Sequence, residues 1–560
     1  MNLRKVGLTN LITFLLALIV TLLLTYRFQI LNGFEFLLGN NTYDNTIHTA
    51  ILEHWFNVFK GVNSWSEVNY FFPYTKTIAQ TDAYFLISIF YIPFRLLNID
   101  PYLSTEFAGI CLKIFGFISA YAFSRVVINL KHGYATLLAI LFTLNNAMTI
   151  HGYRIQLATV AFLPAFAILL YLTIKYLNSN NRKLYLIYGS LFSFLFGLWC
   201  FTCLYASYFF FIFLLIFLFV NIVFNFSKIV FIANQVKKFY VSSFFIVIAF
   251  VISLIPFVIT FYPKSQESKP RSLDAVIYST VRIEELMQVG SNNLFNYPVF
   301  QSLIRVISPN YLPDLNWEYY NMGFTLTVSI LFIFGLIGFL INFKTLKSNL
   351  VYQLGVTSFL FILLIINVFG KSLWLYVYNY FPGGKALGVI SVSLIFLAFP
   401  IYVFVVYYIS NVIKKKLILF PIIFVLIISE INSPLLKLDR SKEIEMNFTV
   451  SPPAIECNSF YVSGWDNQES NPGYWEWFNN QYAHNVSAML LSQKLNIPTL
   501  NGMASFIPKD YDLVGPNGTD FSPNSDEYKE RISNYIKDRN LEKVCRLDLN
   551  SKIWSAHKVD

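Results

Sequence analysis

Charge is what this sequence has least of. Asp, Glu, Lys and Arg make up only 13% of its 560 residues, while 56% are hydrophobic, and the mean hydropathy is +0.54. A soluble chain of this length cannot cover so much apolar surface with so few charges. Histidine is also sparse: six residues, too scattered to make a zinc site. Of five cysteines, Cys111, Cys200 and Cys203 lie in apolar runs. Cys200 and Cys203 have CxxC spacing but no second pair or histidine nearby, so they read as small packing residues. A Walker A loop, a GxGxxG after a strand, HExxH and GxSxG are all missing, which removes the common soluble-enzyme classes.

What is present is a series of apolar runs of about twenty residues, each long enough to cross roughly 30 Å of hydrocarbon. The chain therefore reads as a polytopic α-helical membrane protein. The first run follows Arg4 and Lys5, is long, and lacks a small-residue cleavage site, so it reads as an uncleaved helix rather than a signal peptide. Basic clusters at Arg4/Lys5, Lys131/His132, Arg182/Lys183, Lys228 with Lys237/Lys238, Lys344/Lys347 and Lys414–Lys416 mark cytoplasmic turns. Eleven spans satisfy all of them: 6–25, 104–127, 134–150, 158–178, 184–202, 203–225, 240–262, 321–343, 350–369, 386–411 and 416–432. The N-terminus is then cytoplasmic. The run 83–97, about fifteen residues long, is short for a span and is expected to lie in the interface.

This topology makes 1–432 a membrane domain with large external loops at 26–103 and 263–320, and exports 433–560. That last stretch carries 13 Lys/Arg against 17 Asp/Glu although the whole chain is +10. The basic excess therefore belongs to the membrane part and needs no nucleic-acid partner. Alternation at 455–463 and 543–549 predicts strands, and helical periodicity at 481–495 and 525–541 predicts helices, so the tail is expected to be a small extracytoplasmic α/β domain. Asn524 with Glu527 resembles a helix start. Cys457 and Cys545 are the only cysteines of the tail and sit in its two expected strands; an oxidising compartment would join them. Asn40, Asn447, Asn485 and Asn517 open sequons in external segments, which matter only in a eukaryotic source.

The first external loop holds the densest set of chemical groups: Asp44, Glu53, His54 and Asp82. Its run NNTYDNTIHTAILEHWFNVFKG, continuing through NYFFPYTKTIAQTDAYFLISIFYIPFRLLNIDPY, resembles integral membrane glycosyltransferases of the GT-C fold. In bacterial members a span is followed by an aspartate-bearing loop, an F-(F/Y)-P segment and an aspartate opening a surface helix. Asp44, Phe71-Phe72-Pro73 and Asp82 stand at those positions. His151 and Gln156 after the third span, Glu318 before Gly323, LWLYVYNYFPGGKALG at 373–388 and IPTLNGMASFIPKDYDL in the tail are further matches. Relatives place arginines just after the P-G-x-x-A-(I/L) segment, where this chain has Gly388 and Val392. Lys385, Arg282 and Arg305 are the candidates for gripping a lipid phosphate instead, although lysine lacks the bidentate fork of arginine.

The resemblance implies a bacterial plasma-membrane enzyme. It would move a sugar from a polyprenyl-phosphate donor to a cell-surface glycan or lipid-linked acceptor, as in O-antigen modification of lipopolysaccharide. One carboxylate deprotonates the acceptor hydroxyl as the anomeric centre is displaced. Asp44 is the first candidate for that base, and a helix cap after Asn41-Thr42 is its structural alternative. Asp82 is the second candidate, or the cap of the interfacial helix. Glu53 and His54 contact substrate or form the polar face of a helix at 46–60. His151, Arg154 and Gln156 share a short external turn as substrate contacts or surface groups, and Glu318 is a ligand or a solvated helix start. No DxD pair occurs in the loop, so no cofactor or metal is expected. Lys113, deep in the second span, reads as the partner of Glu106 seven residues earlier on the same face. An O-antigen-type polymerase and a lipid-linked glycan transporter or flippase are the rival classes. The transporter would show internal repeats, and none is evident.

Overall fold

The computed structural model describes residues 7–40, 44–267, 271–307, 321–433, 436–465, 482–514 and 522–557. Glu318, the Asn517 sequon and the Asn41-Thr42 pair lie outside the described residues. The chain is mostly helical, and among the described residues seven helices have the length and apolar character to cross a membrane: Leu8–Leu31, Pro101–Val126, Leu157–Asn178, Arg182–Thr202, Leu204–Lys238, Tyr240–Glu267 and Ile390–Val412. Helices also stand at the other four expected segments, but His132–Leu144, Leu326–Ile341, Leu350–Ile365 and Lys416–Glu430 have 13 to 16 residues. At 1.5 Å per residue they extend no more than about 24 Å. The run expected at 134–150 breaks because Asn145 leaves helical geometry and accepts the Met148 N–H with its side chain, starting a separate short helix. Phe85–Leu96, at 12 residues, is likewise too short to cross.

Local sequence explains the clean starts. Asp100 accepts the Leu103 N–H at 3.0 Å with Pro101 in the first helical position, and Asn181 accepts from Leu184 at 3.1 Å. Ile390–Val412 is buried almost throughout and forms the centre of the bundle. Phe404 on it wedges between Gly335 and Gly355, where any Cβ would meet the ring at 2.4 Å. Cys200 and Cys203 are free thiols within this packing.

At one end of the bundle the first loop meets the tail. Asp44–Phe59 is a buried helix that packs against Ala483–Leu495 of the tail, with Asn57 donating to the Gln493 carbonyl at 2.9 Å. The Phe71-Phe72-Pro73 segment is paired to 499–501 by backbone hydrogen bonds: Thr499 N to Asn69 O at 2.9 Å, Phe72 N to Thr499 O at 3.0 Å and Phe71 N to Asn501 O at 3.1 Å. Gly502 must lack a side chain, since a Cβ there would sit 2.5 Å from the Phe71 ring. Leu436–Asp439 pairs antiparallel with Phe36–Leu37 and parallel with Gly39–Asn40, a second tie between tail and loop.

The tail sheet has Ser459–Ser463 parallel to Val544–Asp548, in register Ser459 to Val544, with Trp554–Ala556 antiparallel on the far side. Ala483–Leu495 and Asp526–Asp538 stand where periodicity placed helices. The cap of the second is one residue later than expected: Ser525 accepts the Tyr528 N–H, while Asn524 donates to the Trp465 carbonyl. Two sequons are unusable, because Asn447 and Asn485 are fully buried; Asn447 donates to Tyr102 and Glu443, and Asn485 bonds His484 and Asn501.

Cys457 and Cys545 form the expected disulfide, with a Cα separation of 5.7 Å across 88 residues of sequence. A loop of that length is worth about 4 kcal/mol in the chain-entropy view. Replacing both cysteines by alanine is expected to lower the thermal midpoint of tail unfolding and speed limited proteolysis of 436–557, read by gel against the oxidised parent.

Candidate functional site

Asp44 is the first residue of the helix Asp44–Phe59, so its carboxylate meets the positive end of the helix. The capping alternative and the chemical one thus share a location, but the described partners of the side chain are a guanidinium and a phenol, not a helix N–H. Oδ2 takes a hydrogen-bonded ion pair from Arg154 Nε at 3.1 Å, and Oδ1 accepts the Tyr482 hydroxyl at 2.6 Å. About a quarter of the side chain, 25%, remains exposed. Burial works to raise this carboxyl, but the charge of Arg154, the neighbouring His48 and the two hydrogen bonds outweigh it and hold it below the ordinary carboxylate range. Asp44 is therefore an anion at neutral pH.

His48 lies one turn further along the same face, where Tyr84 hydroxyl and His48 Nδ1 are 2.9 Å apart. Burial lowers the imidazole to about 4, so it is neutral. Tyr84 is under the electrostatic influence of both Asp44 and Asp82 and thus links the two carboxylates in space.

Asp82 does not cap the adjacent helix Phe85–Leu96, whose Leu86 N–H is taken by Thr202 Oγ1 at 3.0 Å instead. It caps Leu204–Lys238 instead, accepting the Leu204 N–H at 2.8 Å across 122 residues of sequence. Burial pushes its carboxyl up to about 6, against the pull of the Leu204 N–H and the Cys203 side chain. The next residue, Tyr205, accepts the Gly388 and Val389 N–H groups at 2.7 and 3.2 Å through its hydroxyl.

Beside Gly388 stands Arg271, whose Nε would be 3.3 Å from a Cβ on that glycine. Its guanidinium donates to the Ser505 carbonyl at 2.8 Å and lies over the Phe506 ring at 5.5 Å, while Nε is buried without a hydrogen-bond partner. Sequence reading missed Arg271. Gly388, standing where the sequence resemblance led to the expectation of an arginine, was the available signal, because the Arg271 guanidinium stands beside that space. Tyr482, Tyr205 and His48 were also missed. Only His48, four residues after Asp44 on one helix, was recoverable from spacing.

The remaining candidates divide. Arg154 is at the centre of the site. His151, in the same turn, is buried with neither ring nitrogen hydrogen-bonded, and burial with the Arg154 charge lowers it to about 3. The Gln156 side-chain oxygen is buried and unpartnered. Glu53 and His54 are corrections. They lie nine and ten residues along the helix, more than about 13 Å from Asp44. Glu53 is paired with Arg95 and accepts from Tyr91, pinning the Phe85–Leu96 helix, and His54 is buried against the Trp65 carbonyl at 3.3 Å. Lys385 is exposed, 5.8 Å over the Tyr378 ring, and its carbonyl accepts the Arg271 N–H. Arg282 pairs with its neighbour Glu285 at 3.4 Å, and Arg305 is exposed in the last turn of Tyr297–Ile307, so neither joins the Arg271 group.

The expected Lys113–Glu106 bridge is absent. Lys113 Nζ donates to Thr143 O at 2.9 Å and to Thr149 Oγ1 at 3.4 Å, and Glu106 accepts from Gln29 at 3.2 Å. Both line a cleft behind Asn45 with about 30 Å³ for water centres, room for about two waters and not for a sugar. Among the described residues no three His, Cys, Asp or Glu side chains group as a metal site. The sequence matches no family model and no curated protein.

Asp82 gives a pH test with a definite sign. Its folded value near 6 is above the ordinary 3.8, so its contribution to stability is greatest when protonated and declines as pH rises between those values. Asp82→Asn keeps an oxygen for the Leu204 cap. Its thermal midpoint relative to the parent is expected to rise from pH 4 to 6 and then level off, by up to about 2 kcal/mol, in a nanodisc melting series.

Proposed function

We propose that this chain is a membrane glycosyltransferase of the GT-C type. It moves a sugar from a polyprenyl-phosphate donor to a glycan or lipid-linked acceptor on the outer face of a bacterial plasma membrane, with an exported tail. The observation that carries the reading is the state of Asp44: an ionised, partly exposed carboxylate at a helix start, already accepting a hydrogen bond from the Tyr482 hydroxyl at the distance an acceptor sugar hydroxyl would adopt. The Cys457–Cys545 disulfide supports an oxidising compartment for the tail.

In this reading the acceptor hydroxyl takes the place of Tyr482 on Asp44 Oδ1. Its oxygen forms the new bond to the anomeric carbon while the carbon–oxygen bond to phosphate breaks, the hydroxyl proton passes to Asp44, and polyprenyl phosphate leaves. Arg154 keeps the carboxylate oriented. Arg271, across the line of groups Asp82, Tyr205 and Gly388, offers the guanidinium for the charge that develops on the departing phosphate. Phe506 and Ser505 of the tail hold that guanidinium, which gives the tail a part in the site.

Asp44→Asn is expected to lower the transfer rate by roughly 10²–10⁴-fold, with the protein still folded. Arg271→Ala should lower it about 10²-fold, with partial recovery in Arg271→Lys. The measurement is mass spectrometry of surface polysaccharide from deletion cells carrying each variant. Normal decoration by Asp44→Asn would remove Asp44 from the mechanism, and unchanged polysaccharide on deletion would remove the enzyme reading.

A further inference from the structure

Between Leu350–Ile365 and Ile390–Val412 the chain makes a feature that the transfer chemistry leaves unused. Ile366–Val368 pairs antiparallel with Lys371–Ser372 around a two-residue tip, Phe369-Gly370, with φ of 52° and 78°. Tips of this kind favour Asn-Gly or Gly-Gly, and a bulky residue at positive φ is unfavourable there. Phe369 is nevertheless placed at the tip and is 99% exposed, so no contact within the protein compensates it. The helix that follows, Trp374–Tyr380, is two-faced. Trp374, Val377 and Tyr378 are buried, and the Tyr378 hydroxyl donates to the Arg271 carbonyl at 2.6 Å. Tyr376 and Tyr380, with Leu373 preceding them, face outward at 58%, 77% and 52% exposure, and the two tyrosine rings stack at 6.5 Å.

Phe359 and Leu363 of the preceding helix Leu350–Ile365 are exposed as well. From 366 to 392 there is no acidic residue; the only charges are Lys371 and Lys385. Aromatic rings with scattered cations and no anions match the headgroup layer of a phosphate-bearing leaflet, where rings settle at the boundary and ammonium groups meet phosphates.

We propose that the Phe369 tip and the outer face of Trp374–Tyr380 insert into the headgroup layer of the bilayer, fixing Arg271 at the depth of lipid phosphate. The inference rests on the membrane reading of the helices and deepens the transfer reading by naming what sets the depth of the donor phosphate. On the buried face of the same short helix Tyr378 donates to the Arg271 backbone carbonyl, which ties the helix to the residue that carries the guanidinium.

The test uses the full chain in vesicles of phosphatidylethanolamine and phosphatidylglycerol, with a benzophenone amino acid introduced at Phe369, at Tyr376 or, as a water-facing control, at Glu530. After irradiation, intact-mass analysis is expected to show lipid adducts at the first two positions and none at Glu530. No lipid adduct at Phe369, or adducts to polypeptide alone, overturns the proposal. In a transfer assay Phe369→Ser should raise KM for a long-chain polyprenyl donor roughly tenfold with kcat unchanged, a loss in the range of one exposed aromatic anchor. Lipid adducts without any transfer by the parent protein would sink the glycosyltransferase reading and leave the insertion standing. Transfer without lipid adducts would do the reverse.

Discussion

The pairing of 69–72 with 499–501 is the constraint on which the rest of the site depends. Two segments more than four hundred residues apart share a backbone ladder, and the flanking side chains follow from it. Phe71 fits over Gly502, Tyr535 donates to the Phe72 carbonyl at 2.9 Å, and the Phe506 N–H reaches the Gln80 carbonyl at 2.9 Å. From there Ser505 and Phe506 arrive at Arg271, and upstream Tyr482 arrives at Asp44. Loop-closure entropy grows only with the logarithm of separation, so the long sequence gap is a modest cost against a ladder with buried aromatic packing. The tail is thereby part of the first loop's core and not a freely tethered module.

Electrostatics then follow from which groups the ladder covers. Asp44 and Arg154 are both withdrawn from water to different degrees, and each satisfies the other; removing either would leave a poorly solvated charge. Arg271 has no carboxylate partner among its described contacts. It is held by a carbonyl and a ring, an arrangement that leaves its positive charge uncompensated. A cation in that position favours an anionic ligand, which the proposed function takes to be a lipid-linked phosphate.

Much of the helical architecture was legible because apolar runs of crossing length need no tertiary partner to be recognised. The tail strands were legible by alternation, and the Cys457–Cys545 pair because it had no competitor. What failed was whatever depends on contact between distant segments. Asp82 looks like a local cap because Phe85–Leu96 follows it, yet its acceptor geometry serves Leu204. Glu53 looks like a loop carboxylate because its partner Arg95 is 42 residues away. The Lys113–Glu106 spacing is correct for one helix face, but Thr143 and Thr149 on the neighbouring segments offer acceptors, so the bridge does not form. Arg271 carried no motif at all; its meaning comes only from the empty Cβ position at Gly388.

The two aspartates illustrate how position divides labour between identical groups. At Asp44, burial is opposed by a guanidinium, an imidazole neighbour and a phenol, so the anion persists. At Asp82, only a backbone N–H and a thiol oppose the desolvation, with no cation beside it among the described residues, so burial wins and the carboxyl is pushed up to about 6. In the proposed transfer, a carboxylate ionised at neutral pH suits a base whose proton acceptance is timed by the developing charge at the anomeric centre. One that changes charge near neutrality suits a helix cap whose strength varies with local protons. Since Tyr84 senses both, and Tyr205 beside the Asp82 cap holds Gly388 against Arg271, a change of charge at Asp82 would be felt at both ends of the site. Environment, not residue type, therefore separates the group suited to chemistry from the one suited to holding the site together.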